Sequence, residues 1–519
     1  MSLATALTRG QWGVEAPLVH CEVHVGAGLP HFQLVGLADA GVRESRERVR
    51  AALETSGLPF PAGRVTVNLA PADLPKEGGR FDLPLALALL AASGQLEPRA
   101  LEATEFFGEL ALDGTLRPER NLLVSAARAA AAGHSMVVPR SSLQSALCVP
   151  GLRVAGANSL TEVVAHCRGE DPLGFHTGQL PTVTPGFIAD LAEVRGQSLA
   201  RQALELAAAG GHSLLLAGPP GTGKTLLAER LPGLLPPLSP EAALESAVLH
   251  AAAGLAVPAF GQRPWRAPHH SATAIALIGG GQPPRPGEVS LAHHGVLFLD
   301  ELAEYPRAVL DALREPLENR RVALARGRWH VTFPAECQFL AAMNPCPCGY
   351  FPDLQRCRCG EAVARRYLGR LSGPFLDRMD LQVALEPKAA GKHEAAGGVA
   401  PPVSEPSANV RERVLRARER QAVRGTLNAH LSVGQLRDFA SLDAPASELL
   451  DQASARRGMS ARACHRALRV ARTSADLAGR ASVTKDDLGV ALQLRQLETW
   501  LTPKPATSVT GLARPITTR

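Results

Sequence analysis

Two kinds of hydrophobic spacing alternate over the first third of the chain. In residues 18–25 the apolar side chains fall on every second position, as in a half-buried strand, and residues 64–69 repeat that pattern. Residues 38–56 instead carry apolar side chains at helical spacing with Arg and Glu between them, and residues 83–94 form an apolar helical stretch. These segments predict an α+β unit in residues 1–167.

Short uninterrupted apolar runs mark the middle of the chain. They occupy residues 213–217, 296–300 and 338–342 and alternate with segments of helical spacing, which predicts a parallel sheet between helices. The predicted organisation is an α+β domain (1–167), a linker rich in Gly, Pro and Thr (168–187), an α/β domain (188–387), a second linker (388–408), a helical lid (409–500) and a flexible tail (501–519).

Length and composition support several globular domains. The chain has 519 residues, which is more than one hydrophobic core supports, with 45% hydrophobic and 20% charged residues. Its net charge of +6 and pI near 9.0 permit a nucleic-acid partner without requiring one. No uncharged apolar run reaches about 18 residues, and residues 1–21 lack the apolar region of a signal peptide. We therefore expect a cytoplasmic protein with no membrane span.

One octapeptide predicts nucleotide binding. It follows an apolar strand and precedes good helix formers, which is the strand–G-x-x-x-x-G-K-[ST]–helix context of a phosphate-binding loop rather than of a simple Gly/Pro turn. Lys224 is expected to reach the β- and γ-phosphates of ATP, and the Thr225 hydroxyl to bind Mg²⁺. The octapeptide consists of Gly218, Pro219, Pro220, Gly221, Thr222, Gly223, Lys224 and Thr225.

Two later strand ends carry polar residues that suit hydrolysis. Asp300 and Glu301 end an apolar strand at its carboxyl end, where open α/β sheets bind ligands. Asp300 is expected to hold the water shell of Mg²⁺, and Glu301 to polarise the attacking water. Asn344 ends the next strand and can orient that water, or it can simply start a turn before Pro345.

These three motifs, in this order, resemble an AAA+ ATPase. Residues 264–273 (PWRAPHHSAT), 284–293 (PRPGEVSLAH) and 344–349 (NPCPCG) strongly resemble the magnesium-chelatase-like AAA+ family known as YifB or ComM. The resemblance covers nearly the whole chain except the linkers and the tail. It implies a homo-oligomer, a hexameric ring that translocates DNA with ATP and Mg²⁺, acting as a helicase in branch migration during natural transformation.

The resemblance also implies two arginine roles. Arg378 lies where AAA+ relatives place the arginine finger, which enters a neighbouring subunit's site and neutralises γ-phosphate charge. The alternative is a surface ion pair with Asp377 or Asp380. Arg462, at the start of a helix predicted over residues 460–478, resembles the second sensor, and Arg466 one turn later is the competing candidate.

Four of the nine cysteines crowd into one short loop. Cys346, Cys348, Cys357 and Cys359 suit a tetrahedral structural zinc, although the C-x-C spacing is tighter than the usual C-x₂-C. Reduced thiols or a redox pair are the alternatives. The adjacent pairs His269-His270 and His293-His294 are expected to direct their rings to different faces, so we assign them loop or interface roles rather than metal binding.

Two arginine-rich stretches are candidates for DNA contact. The first is predicted to be a hairpin before the third strand, whose arginines meet phosphates while an indole stacks on a base; the alternative is a solvated basic face. Its candidate residues are Arg320, Arg321, Arg326, Arg328 and Trp329. The second, on one helix, is predicted to be a solvated face and consists of Arg411, Arg413, Arg416, Arg418, Arg420 and Arg424.

Residues 64–133 resemble the Lon-type protease domain, a ribosomal S5 domain 2-like fold. The strings 68–71 (NLAP) and 75–78 (PKEG) carry the likeness. The serine nucleophile of that family falls at Arg80 and its lysine base near Leu123, so the Ser–Lys dyad is missing. We therefore expect the protease fold without the protease chemistry.

The sequence thus favours an ATP-driven DNA motor whose nucleotide sites lie between subunits. The rival interpretations are a magnesium-chelatase-like subunit that remodels a partner protein, and an ATP-dependent protease, which Arg80 argues against. DNA should stimulate ATP hydrolysis only in the first case.

Overall fold

The computed structural model describes residues 2–36, 39–119, 121–181, 189–257, 259–326, 329–353, 355–386, 405–495 and 497. The chain divides into two compact units. The first contains residues 1–187, 237–297 and 312–338, and the second contains residues 188–236, 298–311 and 339–519.

The strands are, in chain order, β1 Ser2–Arg9, β2 Leu18–Gly26, β3 His31–Val35, β4 Arg64–Ala70, β5 Thr104–Phe106, β6 Glu109–Leu110, β7 Leu116–Arg117, β8 Ser135–Pro139, β9 Arg153–Ala157, β10 His176–Thr177, β11 Leu214–Ala217, β12 Trp265–Arg266, β13 Gly279–Gly280, β14 Arg285–Pro286, β15 Val296–Leu299, β16 Arg321–Arg326, β17 Trp329–Pro334, β18 Gln338–Met343 and β19 Leu381–Ala384.

The α-helices are α1 Ala40–Thr55, α2 Asp82–Ala92, α3 Leu122–Ala132, α4 Leu143–Leu147, α5 Leu160–Arg168, α6 Ser198–Gly210, α7 Lys224–Ala228, α8 Leu231–Leu234, α9 Pro240–Ala252, α10 Ala274–Ile278, α11 Glu288–Leu291, α12 Arg307–Ala312, α13 Arg314–Asn319, α14 Gly360–Leu368, α15 Gly373–Leu376, α16 Ser407–Val423, α17 Val433–Phe439, α18 Ala444–Arg457, α19 Ala461–Leu477 and α20 Lys485–Gln493. None of the helices in the described ranges is long and apolar enough to cross a membrane.

The first unit is built on an eight-stranded mixed sheet with the order β10-β9-β8-β5-β1-β2-β4-β3. The alternating patterns at residues 18–25 and 64–69 pair with each other as β2 and β4, antiparallel, with Val23 opposite Val67. Every residue of α2 is buried, which explains why this stretch has no polar face in the sequence. The predicted α+β pattern is confirmed.

A five-stranded sheet has the order β12-β15-β18-β11-β19. β11 pairs in parallel with β18 on one side and with β19 on the other. All residues of β11, β15 and β18 are buried, as expected of strands covered on both faces. The three apolar runs are therefore strands, and the predicted parallel sheet is confirmed.

The arginines of α16 correct one prediction, because most of them bind protein instead of forming a solvated face. Arg418 donates from Nε and Nη2 to the Ala208 carbonyl at 2.9 and 2.7 Å, and burial lowers its pKa to about 10. Arg413 is paired with Glu205 and Glu405, and Arg411 donates to the Gly233 carbonyl.

The remaining arginines of this helix complete the pattern. Arg420 donates to the Asp476 carbonyl and Arg424 pairs with the Asp476 carboxylate. Arg416 is 62% exposed and matches the prediction. Helix spacing alone could not separate these cases, because most of the partner carbonyls and carboxylates lie on elements far away in the chain.

Candidate functional site

The phosphate-binding loop of the second unit is shaped by its glycines. Gly221 and Gly223 have φ angles of 77° and 89°, in the left-handed region that favours glycine. A Cβ atom at Gly218 would lie 2.8 Å from the Leu385 carbonyl oxygen, so a side chain there would not fit. The buried strand β11 delivers this loop at the carboxyl end of the sheet, and α7 begins directly at Lys224.

The Lys224 side chain folds back onto the phosphate-binding loop that precedes it. Its Nζ donates to the carbonyls of Gly218 and Pro219 at 2.8 and 2.9 Å and to Asn344 Oδ1 at 3.1 Å. Burial lowers the pKa of Lys224, and the nearby charges of Asp300 and Glu301 oppose that shift. A buried ammonium with only neutral oxygen partners is well suited to bind a polyphosphate, whose charge replaces the lost hydration.

The two residues predicted to bind Mg²⁺ meet directly. Thr225 Oγ1 donates to Asp300 Oδ2 at 2.7 Å across 75 residues of sequence. A hydroxyl and a carboxylate are the hard oxygen donors that Mg²⁺ prefers, so this donor pair fits the ion. Glu301, the next residue, is exposed, and its φ of 52° places it in the left-handed region, which is uncommon for a residue with a side chain.

The three candidate arginines differ in burial and in hydrogen-bond partners. Arg378 is half-buried, and its Nη1 donates to the Pro374 carbonyl at 2.7 Å. Arg462 lies in the exposed first turn of α19. Arg466, its competitor for the second-sensor role, donates instead to Asp380 at 2.6 Å. Burial raises the pKa of Asp380, but the hydrogen bond from His212 and the charge of Arg466 outweigh it and hold that pKa well below its usual range.

The four cysteines converge as predicted. The Cys346 sulfur lies 3.4 Å from that of Cys348 and 3.8 Å from that of Cys357, and Cys348 N donates to Cys359 Sγ. Tetrahedral zinc with bonds of about 2.3 Å holds its sulfurs about 3.8 Å apart, so this thiol set fits zinc.

The cysteine loop also touches the phosphate-binding loop. A Cβ atom at Gly349 would lie 2.5 Å from Pro220 Cδ, and Gly349 has a φ of 85°, so no other residue fits easily. Asn344 lies only two residues before Cys346. The sequence offered no signal for this packing beyond the short distance between Asn344 and the cysteines.

Both histidine pairs depart from the prediction, and the ring centroids of His269 and His270 lie 4.0 Å apart. His294 has a φ of 58°, which turns its ring onto that of His293, and the two centroids lie 3.7 Å apart. Both Nε2 atoms approach Glu245 Oε2, at 3.3 and 2.7 Å, so these side chains form a cluster with metal-ligating atoms. His293 Nδ1 accepts from the Glu336 N–H at 3.1 Å, which leaves the proton of the neutral ring on Nε2. A protonated Nε2 donates to Glu245 and cannot ligate a metal, so His293 in this arrangement does not complete a three-residue metal site.

The predicted basic hairpin exists as β16 and β17, which pair from Arg321 opposite Pro334 to Arg326 opposite Trp329. Arg321 and Arg326 are exposed, Arg320 lies 3.5 Å from Glu336, and Arg328 lies outside the described residues. Trp329 corrects the prediction. Trp329 is 6% exposed and its ring centroid lies 4.4 Å from that of Trp12, so the indole is covered by protein and is not open to stack on a base.

The two positions at which the sequence resemblance places the Lon-type dyad hold no nucleophile or base. Arg80 is buried and paired with Glu119 at 2.7 Å. Leu123 is buried in α3. An ion pair and an aliphatic side chain cannot perform the acyl transfer that a Ser–Lys dyad performs.

Comparison with known proteins agrees with this site. Three family models match the chain: subunit ChlI of Mg-chelatase over residues 21–142, magnesium chelatase subunit ChlI over 190–393, and its C-terminal region over 404–495. Protein YifB of Escherichia coli (strain K12) is 45% identical over 503 residues, which cover 96% of this chain and 98% of YifB. Competence protein ComM of Haemophilus influenzae is 44% identical over 504 residues, which cover 96% of this chain and 98% of ComM.

The parallel sheet, the phosphate-binding loop and the Asp300-Glu301 strand end define a P-loop nucleotide-binding protein of the AAA+ class. The chain belongs to the YifB/ComM family of magnesium-chelatase-like AAA+ proteins, and this membership suggests ATPase activity.

Proposed function

We propose that this protein is an ATP-driven DNA motor that works as a ring oligomer, a hexamer by family resemblance, and promotes branch migration during natural transformation. The ATPase activity in this proposal rests on one observation. The side chains of Lys224 and Asn344, and those of Thr225 and Asp300, are hydrogen-bonded to each other at the phosphate-binding loop. The name of the similar competence protein ComM supports the role in transformation.

Each residue of the site has one role in this proposal. Lys224 binds the β- and γ-phosphates of ATP, while Thr225 and Asp300 hold Mg²⁺. When bound, Mg²⁺ neutralises phosphate charge. Glu301 accepts a proton from the attacking water, which Asn344 orients.

Each nucleotide site also receives two arginines, Arg462 from its own subunit and Arg378 from the adjacent subunit. Arg462 reaches it from the lid. Arg378 belongs to the neighbouring subunit's site, where its guanidinium stabilises the charge that develops on the γ-phosphate. The phosphate-binding loop is therefore one half of a shared site.

DNA binding is assigned to the hairpin β16–β17. The exposed side chains of Arg321 and Arg326 are available for phosphate contacts, and Arg320 lies at the start of the hairpin. Arginine–phosphate contacts are sequence-independent, as a translocating motor requires. The first 167 residues are proposed to be a Lon-like domain that serves ring assembly or partner contact.

We also propose that Cys346, Cys348, Cys357 and Cys359 hold a structural zinc. The sulfur spacing supports it, and the role is to fix a loop that packs on Pro220. Because structural zinc contributes folding free energy directly, its removal should loosen this side of the nucleotide site.

A magnesium-chelatase-like remodelling role is the second candidate, favoured by the names of the matching family models. ATPase measurements with and without single-stranded or branched DNA separate the two. Stimulation by DNA supports the motor. A rate that stays constant over a wide range of DNA concentrations argues for the remodelling role.

A further inference from the structure

The segment from Arg378 to Asp380 is held from the core side by one serine. Ser213 Oγ donates to the Arg378 carbonyl at 2.8 Å and accepts from the Asp380 N–H at 2.9 Å. Ser213 directly precedes β11, the strand that delivers the phosphate-binding loop. The backbone of Arg378 is therefore fixed relative to the strand that carries the nucleotide site of the same subunit.

The same segment is held from the lid side by one arginine. Arg466 Nη1 donates to Asp380 Oδ1 at 2.6 Å and to the Arg378 carbonyl at 3.0 Å. The Asp380 side chain is buried, and its other oxygen accepts from the Ser213 N–H at 3.2 Å. A buried carboxylate that loses its cation is strongly destabilised, so this contact gives the lid a firm hold on the segment.

Helix α19 joins this contact to the nucleotide. Arg462 and Arg466 are one turn apart on it, and the proposed function places Arg462 on the nucleotide. Farther along the helix, Thr473 Oγ1 lies 2.7 Å from His212 Nε2, and His212 Nδ1 lies 3.4 Å from Asp380 Oδ2. Helix α19 therefore contacts Asp380 through Arg466, and it contacts His212, the residue before Ser213, through Thr473. A shift of α19 must move the Arg378 backbone or break these bonds.

We infer that Arg466 and Asp380 form a link through which the lid of one subunit positions Arg378, the arginine that this subunit lends to its neighbour. Arg466 is a positioning residue in this account. Its side chain binds the Arg378 carbonyl and the Asp380 carboxylate, so its loss should impair the neighbour's site and leave the site of its own subunit able to hydrolyse. The inference rests on the proposed function, since it requires Arg378 to act between subunits.

Mixed oligomers test the link. Glu301→Gln subunits cannot hydrolyse ATP but present an intact Arg378. Oligomers of Arg466→Ala alone should hydrolyse about 10- to 100-fold more slowly than wild type with unchanged ATP affinity, since a displaced arginine finger loses part of its effect. In a 1:1 mixture with Glu301→Gln subunits, hydrolysis should recover to about a quarter of the wild-type rate. Half of the subunits can hydrolyse ATP, and in a head-to-tail ring half of these receive a correctly placed Arg378 from a Glu301→Gln neighbour.

Two reference mixtures make the result decisive. Arg378→Ala mixed with Glu301→Gln should recover in the same way, whereas Arg462→Ala mixed with Glu301→Gln should stay inactive because Arg462 acts within its own subunit. Arg466→Lys keeps a positive charge beside Asp380 and therefore controls for misfolding of the alanine variant. It should show an intermediate rate of hydrolysis and the same recovery in the mixture.

The outcomes separate the inference from the proposal beneath it. If the Arg378→Ala mixture recovers and neither Arg466 mixture does, the link is wrong and the shared site stands. If the Arg378→Ala mixture does not recover either, the trans role of Arg378 is wrong, and the link is wrong with it.

Discussion

Lys224 Nζ and Asn344 Oδ1 lie 3.1 Å apart although 120 residues separate them in the chain. The register of the sheet brings them together: β11 and β18 are parallel neighbours with Ala217 opposite Met343, and each residue pair continues into the loops at the same edge. The sheet therefore places Asn344 beside the start of the phosphate-binding loop, and that loop returns Lys224 to the same edge. This relationship is the basis for assigning hydrolysis to this edge.

Replacing Glu301 by Gln should abolish hydrolysis and leave ATP binding intact. The amide keeps the size of the side chain but cannot accept a proton from water, so we expect a rate loss of about 10²- to 10⁴-fold. Steady-state ATPase assays and binding of a fluorescent ATP analogue measure the two effects. Glu448→Gln, an exposed change on α18, is the control and should behave as wild type. Normal hydrolysis by Glu301→Gln would refute the base assignment.

Purified protein should contain about one zinc per chain, as expected of a closed four-thiolate site. Cys346→Ser or Cys359→Ser should lower the metal content and weaken ATP binding, because the loop packs on Pro220. Elemental analysis together with nucleotide titration checks both effects. Cys464→Ser, a cysteine outside the cluster, is the matched control. A zinc content below about 0.5 per chain in protein prepared without chelators ends the zinc proposal and favours reduced thiols or a redox pair.

Reversing the charge of Arg321 and Arg326 together should remove the stimulation of hydrolysis by DNA and leave the basal rate unchanged. Each phosphate contact contributes about 0.7 to 0.9 to the slope of log affinity against log salt, so the double variant should lower that slope by about 1.5. Arg99→Glu, an exposed charge reversal in the first unit, is the control. Equal loss of affinity in the control would mean that net charge, and not the hairpin, binds DNA.

Arg418 should contribute measurably to stability and Arg416 should not, although both lie on α16. Arg418→Ala leaves the buried Ala208 carbonyl without its donor, at a cost of about 1–3 kcal/mol. Arg416→Ala removes an exposed side chain whose ion pair with Glu412 spans one helical turn. Urea denaturation of the two variants compares them directly. Identical midpoints would show that the lid is held by apolar packing alone.

The nucleotide site could be predicted from sequence because its motifs are local. The glycines, Lys224 and Thr225 are adjacent in the chain, and Asp300 and Asn344 each follow an apolar run that can only be a buried strand in this context. Strand order then fixes their proximity. Strands β2 and β4 could be predicted for the same reason. Apolar residues at every second position indicate both the strand conformation and the face of the strand that is buried.

Contacts between distant surfaces could not be predicted in this way. Trp329 was expected to stack on DNA because an aromatic beside arginines is typical of such sites, yet its partner Trp12 lies more than 300 residues earlier. The rings of His293 and His294 stack on each other, as do those of His269 and His270, and no periodicity indicates this. Asp380 did carry a signal: a carboxylate at the start of a buried strand needs a partner that compensates its charge, and Arg466 supplies it.

Branch migration of a synthetic three- or four-strand DNA junction tests the central claim most directly. With ATP and Mg²⁺, the wild-type protein should convert the labelled junction into its migrated products, and the Glu301→Gln variant should bind the junction without converting it. A wild-type protein that hydrolyses ATP at the same rate with and without junction DNA, and leaves the junction unchanged, would contradict the account.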